Sequence, residues 1–254
     1  MIARNFRRLA LLSAALTLWA GCGTESTGPG SSSYAHDLAP GASARDFLTD
    51  VKYDHLVVEV QYVAGFRPTD AALQALGTFL NARLNKGGGI EVRLGAAIPS
   101  PGKATYSDSD IRAFEKQHRT VYTTGSTLAA WMIFLDGASA DGANVLGIAY
   151  NNTSMAVFNQ QIMNHTGGAL GPRQDVVEAT VAEHEFGHLL GLVNNGTAML
   201  AEHQDAPNGK HCDNPNCLMY YQIESSDFIS NLVGGVPPLD QHCLDDLKAN
   251  GGKG

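Results

Sequence analysis

Two histidines four residues apart, with a glutamate directly after the first, are the residues of this chain best suited to chemistry. His184, Glu185 and His188 lie in the stretch AEHEFGHLLGL. On a helix, residues four apart project from one face, so both imidazoles can bind a single zinc ion. Glu185 then lies beside the ion without binding it, and it can take a proton from a zinc-bound water whose pKa the metal lowers to about 7. The pattern predicts zinc-assisted hydrolysis at a carbonyl group.

The residues around this pair favour a metal site over two unrelated histidines. Val181, Phe186 and Leu189 make the segment apolar, which predicts a buried helix. Two buried imidazoles without partners would be costly, because each would lose its hydrogen bonds to water. Gly191, three residues after His188, lets the chain turn sharply out of the helix.

This pattern resembles the metzincin clan of zinc peptidases, whose extended motif HExxHxxGxxH is followed by a methionine turn beneath the metal. The chain departs from that motif at Asn194, since a neutral amide oxygen is a poor zinc ligand. Downstream, KHCDNPNCLMYY is similar to the archaemetzincins, in which the third histidine is followed by Cys, four residues and Cys-x-Met. The resemblance implies that His211 is the third zinc ligand and that Met219 forms the methionine turn. Residues 194–210 are then an inserted loop, which is tolerated because closure entropy grows only logarithmically with length.

Two more residues are candidates at the same site. His203 is a rival third ligand, because a compact inserted loop would bring it over the metal, although the Cys and Met neighbours of His211 favour the latter. Tyr221 lies two residues after Met219. The resemblance implies that Tyr221 stabilises the tetrahedral intermediate, and packing within the turn is the alternative.

Three cysteines fall in the last quarter of the chain, at Cys212, Cys217 and Cys243. Archaemetzincins bind a second zinc with four cysteines, and this chain has Asp240 where the remaining cysteine would be expected. One alternative is therefore a second zinc held by the three cysteines with Asp240 or His242. The other is a Cys212–Cys217 disulfide, which we slightly favour for an exported protein.

The elements that must position these residues follow a regular order. The patterns predict β-α-β-α-β-β-β, then a long helix that carries the motif, then an irregular region with one last helix. We expect an α+β fold with an α/β-like N-terminal lobe (about 46–191) and a small irregular C-terminal lobe (about 192–254), and the resemblance implies a metzincin/zincin-like mixed sheet. The predicted strands lie at 56–62, 90–98, 128–136, 144–150 and 154–162, and the predicted helices at 70–84, 107–118, 172–190 and 239–250.

The N-terminus has the pattern of an export signal. Residues 1–21 combine three arginines with a short apolar run, which is typical of a signal peptide rather than a membrane span. The ending LWAGC is similar to a bacterial lipoprotein box, which implies a lipid on Cys22. We predict a lipidated tether at 22–45, a folded domain at 46–254 and a location in the bacterial cell envelope, with membrane contact only through the lipid.

Charge limits the classes of partner. The chain has 17 Lys and Arg against 25 Asp and Glu and shows no basic cluster after the first residues, which argues against nucleic acid. We expect a monomeric zinc metalloendopeptidase that acts on a peptide or protein. The resemblance implies that the substrate adds as a strand along an edge of the sheet, and 144–150 is our candidate for that edge. The alternatives are a zinc-stabilised surface binding module without turnover, against which Glu185 argues, and an amidase that acts on cell-wall peptides.

Overall fold

A five-stranded, mostly parallel sheet organises the N-terminal part of the chain. The computed structural model describes residues 34–168 and 171–254, and the predicted signal peptide, Cys22 and most of the predicted tether lie outside the described residues. The strands are β1 (His55–Val63), β2 (Gly89–Ile98), β3 (Thr105–Tyr106), β4 (Thr127–Phe134), β5 (Ala138–Ser139), β6 (Gly147–Asn151) and β7 (Ser154–Val157). The helices are α1 (Ala44–Leu48), α2 (Asp70–Arg83), α3 (Asp108–His118), α4 (Asn159–His165), α5 (Gln174–Leu189) and α6 (Gln241–Ala249), with 3₁₀ segments at Ala206–Asn208, Tyr221–Glu224 and Ser226–Gly234.

The strand order of the sheet is β2-β1-β4-β7-β6. Strand β1 pairs in parallel with β2 and β4, and β4 pairs in parallel with β7. Strand β6 runs antiparallel to β7 and is the terminal strand on that side. Strands β3 and β5 form a separate two-stranded parallel pair. The predicted mixed sheet and α+β class are confirmed.

Helices cover both faces of this sheet, as its parallel strands require. On one face, Val58 of β1 belongs to the same buried cluster as Leu80 of α2 and Phe186 of α5. On the other face, Trp131 of β4 packs in a cluster with Phe114 of α3. The motif-bearing helix α5 is therefore held against the sheet by the main core.

Local signals explain where most elements begin. The Thr69 side chain accepts a hydrogen bond from the Ala72 N–H at the start of α2, and Ser107 and Asp110 form a reciprocal capping box at the start of α3. One expected strand is too long, because the predicted 154–162 strand stops at Val157. The polar residues that follow form α4 instead, which starts once the pairing of β7 with β4 has ended.

The folded unit begins earlier in the chain than the sequence predicted. The Tyr34 hydroxyl bonds to Ser43 and Asp46, and His36 bonds to Thr153. The side-chain amide of Asn152 donates to the Ala35 carbonyl at 2.9 Å. Residues 34–45 are thus part of the domain, and the boundary predicted between tether and domain at residue 46 is wrong. The small polar composition of the segment concealed these side-chain contacts.

The C-terminal lobe, from residue 192, is irregular as predicted. Its described backbone contains 3₁₀ segments and α6, with isolated β-bridges such as Gln204–Cys212 in place of strands. Across residues 34–168 and 171–254, no helix has the length and apolar character needed to span a membrane.

Candidate metal centre

Helix α5 presents the motif from a fully buried position. Every residue from Val177 to Leu189 is buried, and the Phe186 ring meets Phe47 edge-on at 5.4 Å. Near its start, Glu178 accepts hydrogen bonds from the Thr69 backbone N–H and hydroxyl, both at 2.8 Å, which ties α5 to the start of α2. The helix is a rigid support, because packing and hydrogen bonds fix it at both faces.

The turn after α5 requires a glycine. Gly191 has φ +74°, and a Cβ there would lie 2.6 Å from the Thr197 backbone nitrogen. Val193 and Asn194 also have positive φ angles, so the chain reverses tightly. The Asn194 side-chain amide donates a hydrogen bond to Gln204 Oε1 at 3.4 Å.

Three imidazoles and one carboxylate converge beside this helix. One ligand atom each from His184, His188, His211 and Glu224 lies within 4.8 Å of every other. The Nε2 atoms of His184 and His188 are 3.2 Å apart, and Glu224 Oε1 lies 3.2–3.3 Å from the Nε2 atom of each histidine. In a tetrahedral zinc site with metal–nitrogen distances of about 2.0–2.1 Å, neighbouring ligand atoms are about 3.3 Å apart. The donor set therefore fits zinc in both chemistry and spacing.

Backbone carbonyls orient two of the three rings. His184 Nδ1 lies 2.6 Å from the Leu218 carbonyl, and His211 Nδ1 lies 2.7 Å from the Asn208 carbonyl. A carbonyl can only accept, so Nδ1 of each of these two rings carries a proton, and Nε2 is the atom at which a metal would replace the proton shared with Glu224. Leu218 is followed by Met219, whose sulfur packs closely on Gly187. A Cβ added to Gly187 would lie only 2.3 Å from that sulfur. Met219 thus packs directly against the helix that carries the motif.

The surroundings shift the pKa values of two of the histidines in opposite directions. Burial lowers the pKa of His188 to about 4, so its imidazole is neutral at ordinary pH. Burial also lowers the pKa of His211, but the hydrogen bond and negative charge of Glu224 outweigh burial and raise it overall. The pKa of Glu224 is held well below its usual value, because hydrogen bonds from the three histidines outweigh the burial of the carboxyl. Glu224 is therefore an anion among the three histidines, and its charge suits it to bind a cation together with them.

Glu185 lies in the same pocket and is fully buried. Burial, and then the charge of Glu224, raise the pKa of Glu185 well above its usual value, while the Ala149 N–H lowers it in part. Neither carboxylate oxygen makes a hydrogen bond of ordinary geometry within the described residues. A Cβ on Gly147 would lie 2.5 Å from Glu185 Oε1, so the glycine leaves the space that the carboxylate occupies. A buried, unpartnered carboxylate beside a metal site is suited to accept a proton.

The two other predicted site residues lie outside this cluster. His203 Nε2 is 2.8 Å from Asp246 Oδ2, and its Nδ1 is 3.4 Å from Cys212 Sγ. The alternative assignment of His203 as third ligand is therefore wrong, because the inserted loop carries it to a different group of residues. The Tyr221 hydroxyl accepts a hydrogen bond from Gln222 and its ring packs on Tyr220, which agrees with the packing alternative.

A second group of metal-binding side chains surrounds the cysteines. His203, Cys212, Asp240 and Cys243 each offer a ligand atom within 4.8 Å of the others, and Cys217 Sγ lies 3.7 Å from Cys243 Sγ. The three thiols are free, so the predicted Cys212–Cys217 disulfide is wrong for this structure. Thiolates, an imidazole and a carboxylate are zinc ligands, and this group fits a second zinc better than a disulfide.

Two features of these clusters escaped prediction from the sequence. Glu224 follows His211 by thirteen positions in the unremarkable stretch QIESS, and no spacing rule singles it out. The sequence predicts His203 at the site of His184 and His188, whereas it lies in the group around the cysteines. The His242 ring stacks on the His203 ring, with centroids 5.4 Å apart. Both depend on the path of the irregular lobe, which no periodicity describes.

Comparisons with solved structures show a resemblance in fold. No protein-family model matches the chain, and no curated protein matches it in sequence. A crystal structure of archaemetzincin (amzA) from Methanopyrus kandleri is similar, with a TM-score of 0.49 and 17% identity over 78% of this chain and 96% of that one. A similarity at this level does not indicate an activity. The residues of the site are the evidence for function.

Proposed function

We propose that this protein is a zinc-dependent peptidase that hydrolyses peptide bonds. The observation that carries the proposal is the convergence of three imidazole Nε2 atoms at tetrahedral spacing beside the buried Glu185. Zinc held by His184, His188 and His211 supplies Lewis acidity and a water whose pKa is lowered to about 7. The chain itself supplies the geometry and the base.

Glu185 is the proposed general base. Its carboxylate is buried and has no competing hydrogen bond of ordinary geometry among the described residues, so it is available to take a proton from the attacking water. Its raised pKa makes Glu185 a stronger base, which favours accepting that proton. Replacement by Gln keeps the size of the side chain and removes the base.

Strand β6 is the proposed substrate-binding edge. It is the terminal strand of the sheet, and Gly147 at its start lies against Glu185 and Val181 of α5. A peptide that pairs with this edge brings its backbone carbonyls next to the metal centre, which is how β-augmentation gives affinity without reading side chains. The site therefore supports peptide or protein as the substrate class.

A structural zinc site in a binding module is the second candidate, and Glu224 is the observation that favours it. Three histidines and a carboxylate make four protein ligands, and structural zinc sites have all four positions filled. The unpartnered carboxylate of Glu185 argues against this candidate, because a structural site needs no buried base.

The experiment that separates the two candidates compares zinc content and cleavage of a mixed peptide library. The full chain and its Glu224→Gln variant are assayed, each with and without His211→Ala. We expect the parent or Glu224→Gln to cleave peptides. Each protein that also carries His211→Ala should lose this cleavage and bind one zinc ion fewer. Zinc retained by both proteins with no cleavage by either would reject the peptidase and favour the structural site.

We also propose that the protein is an exported lipoprotein, on the pattern of residues 1–33 alone. Growth of a bacterial expression host with labelled palmitate is the test. The full chain should take up the label and Cys22→Ala should not; equal labelling of both would reject the lipid anchor.

A further inference from the structure

The segment Glu224–Ser226 pairs with the chain immediately before the edge strand β6. The Leu146 N–H donates to the Glu224 carbonyl at 2.8 Å, and the Ser226 N–H donates to the Asn144 carbonyl at 2.8 Å. Val145 and Ser225 form an antiparallel bridge between these two bonds. Residues 224–226 are thus a short added strand on the N-terminal extension of the edge that was proposed to bind substrate.

The side chain of the same segment reaches the metal centre. Glu224 Oε1 lies 3.2–3.3 Å from the Nε2 atoms of all three histidines, which is the spacing of a fourth ligand in a tetrahedral zinc site. In a catalytic zinc site that fourth position belongs to water or substrate. The Glu224 side chain is 32% exposed, so solvent reaches it.

We propose that Glu224–Ser226 is an autoinhibitory segment, with Glu224 as a fourth protein ligand of the zinc and the segment backbone in the place of substrate. The inference rests on the proposed function, since a blocked position matters only at a catalytic metal. The segment that keeps the enzyme inactive is then part of the same chain as the zinc site. Turnover then requires the segment to move away from 144–146, so that the Glu224 carboxylate leaves and water takes its position.

Two features make this segment displaceable. Two backbone hydrogen bonds and one bridge join it to the edge, whereas β6 continues for five residues beyond that contact. The buried side chains of Ile223 and Ile229 anchor the chain on either side, so residues 224–228 can move while these two anchors stay in the core. An incoming peptide strand would offer the same backbone groups over a longer register, and would compete for the same edge.

Access to the metal tests the proposal without relying on catalysis. The zinc-loaded full chain is titrated with acetohydroxamate, a small zinc-binding anion, and the zinc dissociation constant is measured by competition with a chelator. Glu224→Gln keeps the shape of the side chain and removes the anionic ligand. Asp227→Asn, on an exposed residue of the same turn, removes the same charge and serves as the matched control.

We expect Glu224→Gln to weaken zinc binding by at least tenfold and to bind acetohydroxamate at least tenfold more tightly than the parent. Asp227→Asn should match the parent in both measurements. Equal zinc and hydroxamate affinities in the parent and Glu224→Gln would overturn the proposal, because a carboxylate that occupies the fourth position must affect both. An equal effect in Asp227→Asn would also overturn it, because a general loss of charge would then explain the result.

A second variant perturbs the backbone and leaves the carboxylate intact. Ser226 is the first residue of a 3₁₀ helix, where proline is tolerated, and Ser225 before it has the extended φ of −114° and ψ of 136° that a following proline prefers. Ser226→Pro removes the N–H that donates to Asn144 and should push the segment off the edge. Tighter hydroxamate binding in this variant supports the proposal, and unchanged binding in a folded protein contradicts the role of the strand pairing.

Cleavage assays on the same proteins keep the two hypotheses apart. Glu224→Gln that gains hydroxamate affinity and cleaves peptides faster than the parent supports both. The same gain with no cleavage supports Glu224 as the blocking ligand and rejects the peptidase. Cleavage by the parent at the rate of Glu224→Gln, with equal hydroxamate affinity, supports the peptidase and overturns the autoinhibition.

Discussion

Gly147→Ala tests whether the edge strand makes room for the base. A Cβ at this position would lie 2.5 Å from Glu185 Oε1 and 2.6 Å from Val181 Cγ1. Ordinary carbon contacts need about 3.5 Å, so either the Glu185 carboxylate or the strand must move by about 1 Å. The φ angle of Gly147 is not in the positive range that favours glycine, so its backbone conformation is also open to alanine.

The two contributions to stability have opposite signs. Overpacking of a filled core costs about 1–3 kcal/mol, and alanine in place of glycine within a strand recovers about 0.5–1 kcal/mol. We expect a net loss of about 1–2 kcal/mol in the free energy of unfolding. A displacement of about 1 Å at a catalytic group is expected to reduce peptide cleavage about 100-fold.

Urea unfolding checks the stability, and peptide cleavage is compared between proteins that all carry Glu224→Gln, which removes the proposed blocking ligand. Gly77→Ala on α2 is the matched control, because its added Cβ would meet only Val92 Cγ2, at 3.7 Å. That variant should be more stable by up to about 1 kcal/mol and should keep full activity. Gly147→Ala with the stability and activity of the parent would refute the placement of Glu185 against β6.

Three further predictions concern the scaffold. Lys86→Met should lower the free energy of unfolding by about 3 kcal/mol in urea, since the ammonium donates to three backbone carbonyls at 2.5–2.6 Å; a loss below about 1 kcal/mol would contradict those contacts. Burial and the charge of Arg119 lower the pKa of His36 from 6.5 to about 4, so the folded state binds fewer protons than the unfolded state between these values. Stability should therefore fall as pH drops from 6.5 to 4, and urea midpoints at pH 7 and 5 should differ less in His36→Gln than in the parent; an equal difference would exclude His36 as the cause. Thr69→Ala should cost about 2 kcal/mol because it removes a helix cap and a partner of Glu178, whereas Thr69→Ser should stay near the parent; equal losses in both would show that the hydroxyl is not responsible.

Much of the fold was predictable because its signals are local. The alternation in 56–62 and the apolar run in 128–136 correspond to β1 and β4, and the capping threonine marks the start of α2. Strand 154–162 was drawn too long, since an apolar stretch does not reveal where pairing with a neighbouring strand stops. The two-residue strands β3 and β5 are too short to leave a periodic pattern.

Some residues of the metal centre could be predicted from the sequence and others could not. His184, Glu185 and His188 follow from helical spacing, and His211 follows from the Cys and Met that flank it. The location of His203 and the contribution of Glu224 depend on the course of an irregular loop, which hydrogen bonds between distant segments determine. Sequence spacing carries no information on such contacts.

One measurement tests directly whether Glu185 is the general base. Peptide cleavage is compared between zinc-loaded Glu224→Gln and the double variant Glu185→Gln, Glu224→Gln, with zinc content measured in both. We predict equal zinc, ready cleavage by the single variant, and at least a thousandfold lower rate in the double variant. Equal cleavage by both would contradict Glu185 as the base, and zinc without cleavage in both would contradict the peptidase.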